Sequence, residues 1–215
     1  METALRSSKK IALFGLAATL LTASASQAAV TIYTSQATFN AATTAQGVDT
    51  FAGFSITSTT PSPINRSAGS YTYTAACSTS TFFGAGTTGD PWLSSNIATD
   101  TITFNNFSGG AQAAGGNFFA SNVSGAFTAG DVQLTATDAS GIVSQAVIGA
   151  TTSSFVGFVS DGALTSVTLA SVQPTTGFLW PTADNFTLAM RANIPEPTTL
   201  GALAAAGAMV LRRRR

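Results

Sequence analysis

Seven aspartates carry nearly all the ionisable chemistry in the long central stretch of this sequence. Between Ala29 and Ile194 the acids are Asp49, Asp90, Asp100, Asp131, Asp138, Asp161 and Asp184, the bases are Arg66 and Arg191, and lysine, glutamate and histidine are absent. Paired carboxylates can hydrolyse a glycosidic bond, one protonating the leaving oxygen while the other attacks or activates water. Here, however, Asp131, Asp138, Asp161 and Asp184 lie among glycine, serine and asparagine, where turn geometry alone favours aspartate. Serine is plentiful, but without histidine or lysine it has no ordinary base, so Ser-His-Asp and Ser-Lys mechanisms cannot be assembled. The paired Asp-Thr-Gly signature of an aspartic protease is also missing. The sequence therefore predicts a protein that is not an enzyme. The alternative is a hydrolase working through an aspartate pair, which would require two aspartates close together in the fold.

Metal chemistry is limited in the same way. One cysteine and no histidine leave zinc, haem and iron-sulfur clusters without their ordinary ligands. Calcium, which takes about six to eight oxygens, is the one ion this acidic, turn-rich stretch could hold. Asp161, in a tight turn, and Asp184, one residue ahead of the last predicted strand, are the candidate ligands. No Asp-x-Asp-x-Asp-Gly loop occurs, any calcium here would be structural, and no other cofactor is expected. Cys77 stands alone and is either a buried small hydrophobe or an intermolecular link. The formal net charge of the whole chain is zero, but two arginines against seven aspartates give the central stretch −5. Such a surface cannot neutralise a phosphate backbone and is repelled by anionic lipid, so nucleic acid is excluded as a partner. Sugars bind on aromatic platforms with polar rims. Trp92, Trp180, Tyr71 and Tyr73 are the candidates, each with core or edge packing as the plainer reading.

The elements that must position these residues read as strands. Val30–Tyr33 opens as a strand, and Ser35–Thr43 has a capping serine and apolar Ala37, Phe39 and Ala41 or Ala42, predicting one short helix. Short Thr-, Ser-, Tyr- and Phe-rich runs over Thr50–Thr60 and Ser70–Ala76 are broken at Pro61-Ser62-Pro63 and over Asn65–Gly69. Gly84–Leu93 reads as a Gly-rich loop ending in Asp90-Pro91-Trp92, whose tryptophan plugs the core edge or stands out as a binding platform. Thr101–Phe104, Val132–Thr137 and Val167–Leu169 alternate polar and apolar, as half-buried antiparallel strands do. Phe155–Val159 is apolar on both faces and predicts a buried central strand. Gly115–Phe119 predicts a strand entered through a bulge or bend. Turn signals at Gly130-Asp131, Asp138–Gly141, Ser160–Gly162 and Pro181–Asn185, with a last strand Asn185–Ala189, suggest an antiparallel β-sandwich. Residues 29–192 are long enough to bury a core without staples.

Both ends have a different character. Arg6, Lys9 and Lys10 precede an apolar run from Ile11 to Leu21 and small residues from Ala23 to Ala29. This is the order of an export signal, with cleavage between Ala28 and Ala29, so residues 1–28 are expected to be a signal helix removed on export. At the other end Asn193-Ile194 leads to Pro195-Glu196-Pro197, where two prolines stop helix and sheet and leave an extended linker. Thr198–Leu211 follows without a charge, about 21 Å of helix against a hydrocarbon core of about 30 Å. Arg212, Arg213, Arg214 and Arg215 then supply a cytoplasmic stop.

Motif, short apolar span and arginine cluster in this order resemble the PEP-CTERM sorting signal of exopolysaccharide-producing Gram-negative bacteria. The resemblance implies recognition of Pro195, Glu196 and Pro197 by an exosortase, transient residence in the inner membrane, and delivery to the cell surface or its extracellular matrix after C-terminal processing. Ile194 departs mildly from the valine usual there. Three stretches of the second half, Ala114–Phe119, Phe155–Asp161 and Ala183–Thr187, resemble lectin-like or carbohydrate-binding jelly-roll domains. Together these imply a surface or matrix protein that associates with exopolysaccharide. A purely structural surface protein without a small ligand is the third expectation.

Overall fold

The structure is a computed structural model that describes residues 29–79 and 81–193. The expected signal helix, the Pro195-Glu196-Pro197 motif, the apolar span and the arginine cluster lie outside the described residues. Within them the chain is mostly strand, in two antiparallel sheets with one short α-helix, as the alternation of its second half requires.

The strands are β1 (Val30–Tyr33), β2 (Thr43–Asp49), β3 (Thr59–Pro61), β4 (Ile64–Ala68), β5 (Tyr71–Cys77), β6 (Thr81–Thr87), β7 (Asp90–Ser95), β8 (Thr101–Asn105) and β9 (Ala113–Ser121). They continue with β10 (Phe127–Thr128), β11 (Gly130–Asp138), β12 (Gly141–Ala150), β13 (Phe155–Ser160), β14 (Leu164–Ser171) and β15 (Trp180–Arg191). One sheet runs β1-β13-β9-β15-β7-β6-β3, with β10 added to β9 and β2 to β15; the other runs β12-β11-β14-β8-β5-β4. Their facing sides bury Phe82, Leu93, Phe104, Phe118, Leu134, Phe158 and Phe186 without exposure. At the centre Phe104 stacks on Phe186 with centroids 4.1 Å apart, and Tyr73 tilts against both.

The single helix, Gln36–Ala41, packs on the far side of the larger sheet. Of the apolar positions that predicted it, Phe39 and Ala42 are buried while Ala37 and Ala41 are exposed. Ser35 holds the N-cap position, yet its side chain makes no cap bond; its carbonyl accepts from Phe39 N instead. The Phe39 ring lies on Gly157, where a Cβ would sit 2.3 Å from the ring, so this strand position must lack a side chain.

Several expectations change. Gly84–Leu93 is not a loop: it forms most of the β6–β7 hairpin, turning at Thr88 and Gly89. Asn65–Gly69 does not break the chain, because Ile64–Ala68 pairs along β5. Thr50–Ser58 is loop and turn rather than strand, and only Thr59–Pro61 joins β6. Gly130-Asp131 starts β11 instead of turning. Pro181–Asn185 lies inside β15, which is continuous over twelve residues.

The buried strand Phe155–Val159 is borne out, with every position of β13 buried, though it lies next to the edge strand β1 rather than at the centre. The bulge expected at Gly115 belongs to the strand opposite. β15 gains a residue between Asp184 and Thr187 where β9 passes from Asn117 to Gly115, and Asn185 takes a left-handed φ of 52°. At this bulge β15 changes neighbours: Thr182 and Ala183 pair with β7, whereas Phe186–Arg191 pairs with β2.

Candidate functional site

Strand alternation places Trp180, Thr182 and Asp184 on one side of β15, and Ala183 and Phe186 on the other side in the core. Ser94 opposes Thr182, so Trp92, two residues before it, shares that outer face. Three of the residues singled out by sequence, Trp92, Trp180 and Asp184, therefore lie on the outer face of one sheet. Between them Ser94, Ser121 and Thr182 form a buried hydroxyl cluster, with oxygen separations of 2.8–3.3 Å. The loop after β9 crosses this face, since the Gly125 carbonyl accepts from Gly86 N on β6.

Trp92 is a plug. Phe119 meets it edge-on at 4.9 Å, and on Gly86 a Cβ would lie 2.9 Å from its ring. Its indole N–H donates to Asp90 Oδ2 at 3.1 Å. Tyr71 and Tyr73 are corrections: they are 6% and 2% exposed, belong to the core, and offer no platform to a sugar. Tyr73 uses its hydroxyl to donate to Asp49 Oδ2 at 2.7 Å. The same carboxylate takes Arg66 in a two-pronged pair at 2.6 and 2.7 Å, and Arg66 lies over Phe51, 5.1 Å from the ring centroid.

The aspartates do not form one cluster among the described residues. Asp161 lies in the turn after β13, where Arg191 pairs with it and the Ala29 N–H donates to it at 3.3 Å. Arg191 is seven residues along β15 from Asp184, roughly 23 Å at the usual strand rise, so the two candidate calcium ligands do not meet. Among the described residues no three acidic, cysteine or histidine side chains converge. Asp184, almost fully buried at the seam where β15 exchanges β7 for β2, is pushed up to about 6 by burial. The Asn185 N–H works against that shift, and the nearby Asp90 and Asp49 carboxylates add to it. Asp49 and Asp184 do not share a cleft: one points inward to Tyr73 and Arg66, and the other lies on the outer face with Asn117 and Asn185.

The most exposed aromatic ring among the described residues is just ahead of β15. Phe178 is 65% exposed and meets Trp180 edge to face at 6.4 Å. With Asn96, Ile97, Ala98 and Thr99 they line a shallow groove of about 270 Å³. On its other side Phe178 borders a second groove of about 550 Å³, with Asp131, Gln173 and Thr176 in its wall. The ledge is fixed from beneath. Gln173 Nε2 donates to the carbonyls of Ala98 (2.9 Å) and Leu179 (2.7 Å), and its Oε1 accepts from Leu179 N (3.1 Å). Trp180 Nε1 donates to the Asn96 carbonyl at 3.3 Å. An exposed ring braced edge-on by a second, with amide, hydroxyl and carboxylate groups beside it, can stack on an apolar sugar face and bond its hydroxyls, at little ordering cost.

Sequence reading found Trp180 but missed Phe178 and Gln173. The available signal was the run Gly177-Phe178-Leu179-Trp180 after Pro174-Thr175-Thr176, where large apolar residues directly follow a turn and cannot all face the core. Comparison with protein-family models, with curated proteins and with solved structures finds no match to this chain.

Proposed function

We propose that this chain is an exported, exosortase-sorted β-sandwich of the jelly-roll kind that acts without catalysis as a component of the cell surface or extracellular matrix, associating with exopolysaccharide through its Phe178–Trp180 ledge. The observation that carries the sorting half is the order of Pro195-Glu196-Pro197, an uncharged span from Thr198 to Leu211, and four terminal arginines. What supports the binding half is an aromatic pair, Phe178 exposed and Trp180 half-buried, whose connecting Leu179 is pinned by Gln173, on a domain of net charge −5, a surface suited to a neutral or hydrated polymer and unsuited to nucleic acid.

Intact mass of the protein from the membrane and extracellular fractions of its own host tests the first half. The expected species lacks residues 1–28 and everything beyond the Pro-Glu-Pro region. A membrane species that keeps Arg212–Arg215 would mean a standing anchor and would overturn the sorting reading. Retention of the protein on immobilised host exopolysaccharide tests the second half. Phe178→Ala and Trp180→Ala each weaken retention by about tenfold, equivalent to about 1.4 kcal/mol. Equal retention of both variants would leave a structural surface protein with no sugar site at this ledge.

A further inference from the structure

One sheet edge stands apart from the aromatic ledge. β12 is the outermost strand of the six-stranded sheet and the longest free edge among the described residues; β1 has four residues, β3 three and β4 five. Free edges of this length are normally blunted by lysine, proline, a bulge or inward charge. The regular part of β12 has none of these: from Ala139 to Ser160 there is no charged residue and no proline. Its one irregularity is a bulge near Ile148 and Gly149, at its last turn of chain. Val143 and Val147 face the core, while Ile142, Ser144, Ala146 and Ile148 face out, with Ile142 70% and Ile148 76% exposed.

Read from either end, this strand is nearly the same. Gly141-Ile142-Val143-Ser144 runs up to Gln145, and Ala146-Val147-Ile148-Gly149 runs away from it, so residues equidistant from Gln145 match as Gly/Gly, Ile/Ile, Val/Val and Ser/Ala. A two-fold axis through an antiparallel pair sets each residue against its mirror position in the partner, so here like meets like and apolar side chains face apolar ones. We infer that β12 pairs with β12 of a second copy, antiparallel and centred on Gln145, joining the two six-stranded sheets into one. In that register Val143 faces Val147 of the second copy, Ser144 faces Ala146, and the two Gln145 residues meet at the axis. Two domains of net charge −5 can approach here because neither strand presents a carboxylate to the other. The stretch Val143–Val147, clear of the bulge, pairs regularly and gives a contact about 17 Å long. Gln145, whose Nε2 now donates to its neighbour's carbonyl at Ala146 (2.7 Å), is free to turn to its counterpart.

Sedimentation of the full chain in non-ionic detergent, over a dilution series, is expected to show twice the monomer mass at high concentration. Ser144→Lys with Ala146→Lys, on the exposed side of the strand, sets like charges face to face and returns the mass to the monomer with unchanged circular dichroism. Register is read independently by oxidative crosslinking in otherwise unaltered chains. Gln145→Cys links to itself, and Ser144→Cys links to Ala146→Cys in a mixture in preference to itself, while buried Cys77 does not take part. A monomer at every dilution, a dimer that survives the double lysine variant, or a crosslinking pattern in another register would each overturn the inference. None of these results bears on polysaccharide retention at Phe178 and Trp180.

Discussion

A carboxyl group at the seam of a sheet has fewer partners than one in a turn, and Asp184 shows the consequence. Asp138 sits at the β11–β12 turn, where burial raises its pKa but Ser140, Ser160 and the Ser140 and Gly141 N–H groups together outweigh burial and lower it. Asp184 receives only Asn185, through one backbone and one side-chain N–H, and is pushed up to about 6. The folded protein therefore holds a proton that the unfolded chain has already lost between its ordinary value and that point. The stability this gives is fully present below about pH 4 and is lost as pH rises through about 6. Asp184→Asn cannot ionise, so wild type should lose about 1–2 kcal/mol relative to it between about pH 4 and pH 7, after allowance for solvent screening. Urea midpoints of both proteins across that range check this, and parallel curves would remove the assignment. The sequence placed an aspartate at the right spot, ahead of Phe186, but made it a turn residue. Nothing in residue order says that a bulge will occupy the turn signal and keep the strand running.

At the level of elements, glycine was the least legible residue. Gly84, Gly86 and Gly89 together read as a loop, yet only Gly89 lies in a turn. Gly84 sits mid-strand because the loop before β3 lies against it: Thr57 N donates to its carbonyl at 2.8 Å, its own N–H donates to Ser58 O at 3.0 Å, and a Cβ there would fall 1.8 Å from the Ser55 carbonyl. Gly86 makes room for the Trp92 ring. Glycines required by close approach and glycines required by a turn look alike in sequence, which is why the hairpin was missed. Alternation was a better guide. It located β8, β11 and β14 in the second half, where polar and apolar residues strictly take turns, and the doubly apolar run located β13. The two kinds of glycine separate by experiment. Gly84→Ala should destabilise the domain by about 1–3 kcal/mol through overpacking, whereas Gly89→Ala, with nothing within 4 Å of the added carbon, should stay within about 0.5 kcal/mol of wild type. Equal thermal shifts for the two would show that the loop before β3 yields readily and does not set the position of β6.

As proposed, the whole molecule separates into a domain and two addressing segments, and their independence is itself testable. The pairing that closes the domain is internal to it. β1 starts at Val30 on β13, and β15 ends at Arg191 on β2, with Arg191 and Ala29 both reaching Asp161, so the start of the first strand and the end of the last come together at that turn. Fold class was legible because a half-buried sheet needs alternation; the ledge at Phe178 was not, because exposure of an aromatic depends on which loop lies beneath it, here the one pinned by Gln173. Among the described residues the buried members of the core clusters run from Phe39 to Ala189, all of them ahead of the proposed sorting segment in the chain. Deleting everything after Pro197, or replacing Glu196 by Gln, should therefore leave the melting temperature and near-ultraviolet circular dichroism of the domain unchanged while the protein fails to reach the cell surface. Fractionation of the host carrying each variant, alongside melting of the purified protein, separates the two effects. Normal surface delivery would remove the sorting proposal, and a lowered melting temperature would show that the domain draws stability from the segment that is meant only to address it.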